Sequence, residues 1–193
     1  DGSPSPAFEK TLETICTEGE IIEYANIDLT AKCAPGYFDY QCLANLTAIF
    51  DSYTRLWDTC DVFLIEMQMA FRGKYNTMAL KIAQHCWSFF YLMYGPYKHI
   101  VSFPAYYKTR ILGAVKIKSR SGRWVSIDKP ARKKWCEATA LAILRARRMA
   151  RAVADGNARA LEVFERSNKK DDLADVICQL QAYKILTYAR GIP

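Results

Sequence analysis

Residues 61–66 read Asp-Val-Phe-Leu-Ile-Glu, four apolar side chains in succession between two carboxylates. Apolar residues in a row, without alternation, are the pattern of a strand covered on both faces. Such a strand needs a sheet with helices on each side, and the flanking segments supply them. From about Asp39 to Asp58, Leu43, Leu46, Ile49, Phe50, Tyr53 and Trp57 recur at helical spacing. Residues 76–94 predict a second long helix with Met78, Ile82, Cys86, Phe89, Phe90 and Met93 toward the core. His99 to Phe103 reads as a short strand that Pro104 ends.

Upstream, 7–15 reads as a strand, Glu18-Gly19-Glu20 as a turn and Ile21 to Leu29 as a second strand, together a hairpin. Pro35-Gly36 breaks the chain. Lys116 to Ile127 suits no single element, and Ser119-Arg120-Ser121-Gly122 reads as an exposed loop between two short basic arms. Asp128 is an N-cap, with Pro130 in the first turn of a helix reaching about Ala154. Asp155-Gly156-Asn157 reads as a break, Ser167-Asn168 as the start of the last helix and Arg190-Gly191 as its close. Leu173, Val176, Ile177, Leu180 and Leu186 form that helix's core stripe. The order predicts an α/β fold around a mixed sheet. With 193 residues, 51% hydrophobic and 24% charged, the chain suits one domain, 1–193.

Several classes are excluded by what the sequence lacks. No run of eighteen apolar residues appears, so neither a spanning helix nor a membrane partner is expected. The opening Asp1-Gly2-Ser3-Pro4 has no basic or apolar leader, so no signal peptide is expected. Seven cysteines, at 16, 33, 42, 60, 86, 136 and 178, show no Cys-x-x-Cys spacing, and only His85 and His99 offer imidazoles. That usage argues against zinc and for reduced, mostly buried thiols in an intracellular protein. The Asn45-Leu46-Thr47 sequon is then accidental.

The net charge of +7 hides a steep gradient. Residues 1–66 carry three basic and twelve acidic side chains, and 67–105 carry four basic and none acidic. Residues 106–151 carry fourteen basic against two acidic. A local excess of that size is either a solvated face or a polyanion site. Interleaving with Tyr106, Tyr107, Trp124 and Trp135 favours nucleic acid, because rings beside cations suit bases and phosphates together. Arg72, Lys74, Lys116, Lys118, Arg120, Arg123, Arg132, Lys133 and Lys134 are the candidate phosphate contacts. The last three crowd the positive end of a helix, a conflict that phosphates or water would absorb.

Two acidic features are costly where they stand. Glu66 closes a fully apolar run, and a buried carboxylate must be paired or bind a metal. It is either a ligand at a strand's carboxyl end, where ligands collect in open α/β sheets, or a rim residue paired with Arg72 or Lys74. Asp172 and Asp175 share a helix face three residues apart, a mildly repulsive spacing that the helix dipole offsets. They are either N-terminal acidic capping or a working pair, with Asp171 in the cap region. Together with Glu66 they make a hard oxygen set of the kind that holds Mg²⁺ or Mn²⁺. Two such ions would clamp the attacking water and the leaving oxygen of a phosphodiester.

These residues resemble a known family. An N-terminal Asp-Gly segment, a strand ending in Ile65-Glu66-Met67-Gln68, Pro-x-x-x-Lys at Pro104 to Lys108, and Lys-Lys-Asp-Asp-Leu-Ala-Asp near the C-terminus come in the order seen in Holliday junction resolvases. The similarity is to the branch of poxviruses and other large DNA viruses. It implies a ribonuclease H-like fold, a mixed five-stranded sheet flanked by helices, working as a homodimer on four-way DNA junctions with two Mg²⁺ or Mn²⁺ per site. It implies metal ligation by Asp1, Glu66, Asp172 and Asp175, and a place near the scissile phosphate for Lys108, otherwise an ordinary lysine of the basic block. The family's first strand runs into its aspartate and usually reads Asp-x-Gly, whereas glycine here follows Asp1 directly. The expectation is therefore that the native protein carries residues before Asp1.

The sequence-level reading is a metal-dependent endonuclease that cleaves branched DNA, at sites of viral DNA replication if the chain is viral. Its rivals are another nuclease of the same superfamily, acting on flaps or RNA–DNA hybrids, and a non-catalytic basic nucleic-acid-binding module. The aromatic-rich helices at 39–58 and 76–94 are either a large core or the dimer surface.

Overall fold

The computed structural model describes residues 6–30, 40–68, 76–150 and 155–189. Its helices are α1 (Pro6–Thr17), α2 (Tyr40–Ser52), α3 (Thr54–Trp57), α4 (Thr77–Tyr94), α5 (Tyr106–Ile111), α6 (Lys129–Ala150), α7 (Asp155–Arg166) and α8 (Lys170–Lys184), which a π-helical turn, Ile185–Ala189, extends. The strands are β1 (Val62–Met67), β2 (His99–Pro104), β3 (Lys116–Lys118) and β4 (Trp124–Ser126). The chain divides into two compact units, one of Ile27–Ala105 and one of Asp1–Asn26 with Tyr106–Pro193.

In the unit Ile27–Ala105, β1 and β2 pair in parallel, from Val62 opposite His99 to Met67 opposite Pro104. A parallel pair needs a long crossover, and α4 supplies it, packing on both strands. Asn76 starts that helix by accepting the Met78 and Ala79 N–H groups at 3.1 and 3.2 Å. The core is aromatic. Phe63 stacks on Phe90 at 4.1 Å between centroids, with Phe50, Trp57 and Tyr94 around them. Tyr94 is buried where the periodicity had placed Met93, and Met78 and Met93 are exposed. The helix expected over 39–58 is divided at Tyr53 into α2 and α3, and both strands stand where the sequence put them. Of the apolar run in β1 only Phe63 is buried, because a two-stranded sheet with one crossover helix leaves the rest half-covered or exposed.

The other unit is helical. In it α6 packs on α7 and α8, α5 on α8, and α1 on α6 and the π turn. Its core is built from Cys136, Ala140, Leu144, Leu161, Phe164, Leu173, Ala174, Ile177 and Cys178 with Ile21. Asp128 caps α6 as expected, accepting the Ala131 N–H at 2.8 Å. The basic arms around 119–122 form a short antiparallel hairpin, Lys116 opposite Ser126 and Lys118 opposite Trp124.

The expected five-stranded mixed sheet of a ribonuclease H-like fold is overturned: the described residues form two sheets of two strands each. Three segments explain it. Residues 7–15 lie in helix α1, opened by Pro6 at its first position and rich in the helix formers Ala, Glu, Lys and Leu. Without that partner, Ile21 to Leu29 forms no strand; the Ile21 N–H donates instead to Asn157 Oδ1 at 3.0 Å. Finally, β3 and β4 pair only with each other. Asp155-Gly156-Asn157 is not a break but the first turn of α7, and the last helix begins at Lys170, not at Ser167. In its stripe Leu173, Ile177 and Leu186 are buried, whereas Val176 and Leu180 are exposed. The Pro35-Gly36 break and the close at Arg190-Gly191 lie outside the described residues.

Candidate functional site

Three helices of one unit gather the site. Lys108 lies on α5, Lys133 and Cys136 lie one turn apart on α6, and Asp171, Asp172 and Asp175 occupy the first turns of α8. Packing of α5 and α6 on α8, through Cys136, Leu173 and Ile177, fixes these side chains.

Lys108 is 7% exposed. Its Nζ is 2.6 Å from Asp175 Oδ1, and the Cys136 thiol donates to the same oxygen at 3.1 Å. A buried ammonium needs a counter-charge, and Asp175 provides it while its own side chain stays 41% exposed. A hydrogen bond with Cys178 and burial, with Asp175 adding to them, push the Cys136 thiol far above its ordinary range. The thiol stays protonated and remains a donor.

One turn earlier, Asp171 pairs with Lys133. The lysine's hydrogen bond holds the Asp171 carboxyl below the usual carboxylate range, against a smaller opposing effect of burial. The same bond holds Lys133 above the usual lysine range. Asp172 is exposed, and among the described residues no hydrogen bond or ion pair engages its carboxylate.

The structure thus brings Lys108, Asp172 and Asp175 together on one surface. It adds Cys136, Lys133 and Asp171, which sequence reasoning had not placed there as a set. The one available signal was the three-residue spacing of Lys133 and Cys136 on a predicted helix. Glu66 lies in the other unit, half-buried, one residue before the end of β1 and opposite Phe103. Asp1, Arg72 and Lys74 lie outside the described residues. Lys116, Lys118, Arg120 and Arg123 are exposed on the β3–β4 hairpin, as are Arg132, Lys133 and Lys134 at the start of α6. Lys133 is the one of these that an acid of α8 engages.

The carboxylates on this surface are hard oxygen donors. Mg²⁺ is commonly held by one or two carboxylates, its other positions filled by water and substrate phosphate. Asp172 and the partly exposed Asp175 are two such carboxylates, the second already engaged by Lys108 and Cys136. Among the described residues no group of three or more His, Cys, Asp or Glu side chains is placed to hold a metal. The six described cysteines are free, and none of the described helices is long and apolar enough to cross a membrane.

Comparison with known proteins gives a viral lineage. The chain is 31% identical to uncharacterized protein 170L of Invertebrate iridescent virus 6, over 92% of this chain and 78% of that protein. It is 35% identical to uncharacterized protein 97L of Invertebrate iridescent virus 3, over 69% of this chain and 53% of that protein. No family model and no solved structure matches. The chain belongs to the family of the iridescent virus protein 170L.

Proposed function

We propose that the chain is a divalent-metal-dependent, structure-selective endonuclease that cuts four-way DNA junctions as a homodimer, where viral DNA replicates. The observation that supports it is the Lys108–Asp175 pair. Two residues far apart in the chain, each singled out by its own motif, meet at 2.6 Å beside Asp172. Asp172 and Asp175 are the ligands on this surface; Asp1 and Glu66 enter the proposal from the resemblance alone. Asp172 and Asp175 would hold Mg²⁺ or Mn²⁺, which would supply an activated water and stabilise the departing oxygen.

The protein's own groups do the rest. Lys108 fixes the Asp175 carboxylate and keeps a positive charge close to where phosphate charge develops. Cys136 holds the same carboxylate from behind. Lys133 takes Asp171 out of competition with Asp172 and Asp175. The exposed cations of the hairpin and of α6 track phosphates, so binding weakens steeply as salt rises.

The test is cleavage of a four-way junction, a flap and an RNA–DNA hybrid, each with Mg²⁺ and with Mn²⁺. Asp172→Asn is the informative variant because its carboxylate has no structural partner among the described residues. It is expected to abolish junction cleavage and to keep junction binding. Full activity of Asp172→Asn removes the mechanism. A non-catalytic DNA-binding module is the second reading. It is favoured by the neutralisation of Asp171 and Asp175 by lysines, with no third metal-competent group among the described residues. In that case Mn²⁺ gives no calorimetric signal and does not change the melting temperature.

A further inference from the structure

The β3–β4 hairpin is small and bare. Its strands have three residues each, and Ile117, Trp124 and Val125 are exposed, Trp124 at 65%. A two-stranded ribbon of that size buries too little to justify its apolar residues by its own stability. Its turn is nevertheless tightly made. The Ser119 N–H donates to the Arg123 carbonyl at 2.8 Å and the Gly122 N–H to the Ser119 carbonyl at 2.9 Å. The Arg123 N–H donates to the Ser119 hydroxyl oxygen at 3.2 Å, and Gly122 takes a φ of +75° that other residues rarely adopt.

This turn fixes which side chains share a face. Lys118 lies directly opposite Trp124, its ammonium 5.5 Å from the ring centroid, and Lys116 lies on the same face two residues away. Arg120 and Arg123 project from the turn, and no acidic residue occurs from Tyr106 to Ile127. Cations alone would suit any polyanion. An exposed indole flanked by cations suits one with flat, unpaired bases, because stacking and phosphate contact are then met together.

We propose that this hairpin is a base-stacking arm: Trp124 covers an unpaired base of branched DNA while Lys116, Lys118, Arg120 and Arg123 hold the adjoining phosphates. It rests on the reading of the chain as a DNA-binding protein but not on the cleavage step, so the two fail separately.

The experiment uses the full chain and two DNAs of equal length, a continuous duplex and one with a looped-out 2-aminopurine. Wild-type protein is expected to quench the 2-aminopurine emission and to prefer the looped DNA. Trp124→Ala is expected to lose the quenching and about tenfold in affinity for the looped DNA, leaving duplex affinity unchanged. Trp124→Phe is expected to keep most of both. Lys118→Ala should weaken both complexes and flatten their salt dependence. Trp124 is exposed, so an unchanged melting temperature shows that the fold is intact. Equal losses of Trp124→Ala on the two DNAs, or no loss on either, overturn the proposal. Trp124-dependent quenching by a protein that cleaves no junction upholds the arm and removes the nuclease.

Discussion

At the Lys108–Asp175 pair the two partners are not equivalent. The lysine side chain is 9% exposed and the aspartate's 41%. Removing the aspartate strands a buried cation, whereas removing the lysine leaves a carboxylate that water already reaches. Asp175→Asn is therefore expected to cost about 2 kcal/mol, between values typical of buried and of surface pairs. Lys108→Met should cost well under half of that, and the double variant should regain part of the loss. Urea titrations of the three proteins measure this, and equal single costs would refute the asymmetry. Asp171 and Lys133 set a pH window. The depressed Asp171 contributes stability above the ordinary aspartate pKa of about 3.9, lost as pH falls through its lowered value. The raised Lys133 contributes below the ordinary lysine pKa of about 10.4, lost as pH rises through its raised value. Carboxyl NMR should show the Asp171 midpoint rising toward the ordinary value in Lys133→Met. The acids were legible in the sequence because each breaks a local rule, whereas Lys108 was singled out by the family resemblance alone. Their contact was not legible, since it depends on how α5 and α6 pack on α8, and Cys136 breaks no rule at all.

Among the elements, the sequence was readable wherever periodicity and caps agreed, and misleading where tertiary contacts decided. Helix α4, the N-cap Asp128 and the strands β1 and β2 were visible in the pattern, whereas the Asn76 cap and the parallel pairing of the two strands come from the structure. The segment from Ile21 was not. Its alternation suggested a strand, but its backbone partner is the side chain of Asn157, which is fully buried and also donates to the Gly19 carbonyl at 3.1 Å. The same contact explains why Gly156-Asn157, loop-like in sequence, sits inside a helix. A Cβ at Gly156 would lie 2.3 Å from the Ile21 carbonyl oxygen, so only glycine lets the two backbones approach. Gly156→Ala is expected to destabilise by about 1–3 kcal/mol despite alanine's better helix propensity. Asn157→Ala should cost a similar amount through the two unsatisfied backbone groups. Thermal melts read both, and a stabilised Gly156→Ala would show that the two segments do not touch.

For the whole molecule, charge and packing divide along the same line. Ile27–Ala105 carries six basic and six acidic residues, and the other unit carries twenty-one against fourteen, the whole of the +7. The basic block thus belongs to the unit that holds Lys108, Asp172 and Asp175, so the salt dependence of the proposed DNA binding is expected to follow substitutions in that unit. The clusters differ as well: Leu144 belongs to one and Phe90 to the other, with no buried residue shared among the described residues. Each core therefore answers for its own unit. Leu144→Ala is expected to cost about 2–5 kcal/mol and Phe90→Ala about 3–5 kcal/mol. Hydrogen exchange on the full chain should show where the loss falls. In Leu144→Ala the amides of α6, α7 and α8 are expected to exchange faster, with β1, β2 and α4 little changed, and Phe90→Ala should reverse the pattern. Acceleration spread evenly over all of these elements in both variants would mean that the two clusters unfold as one, and the division of the chain into two stability units would be lost.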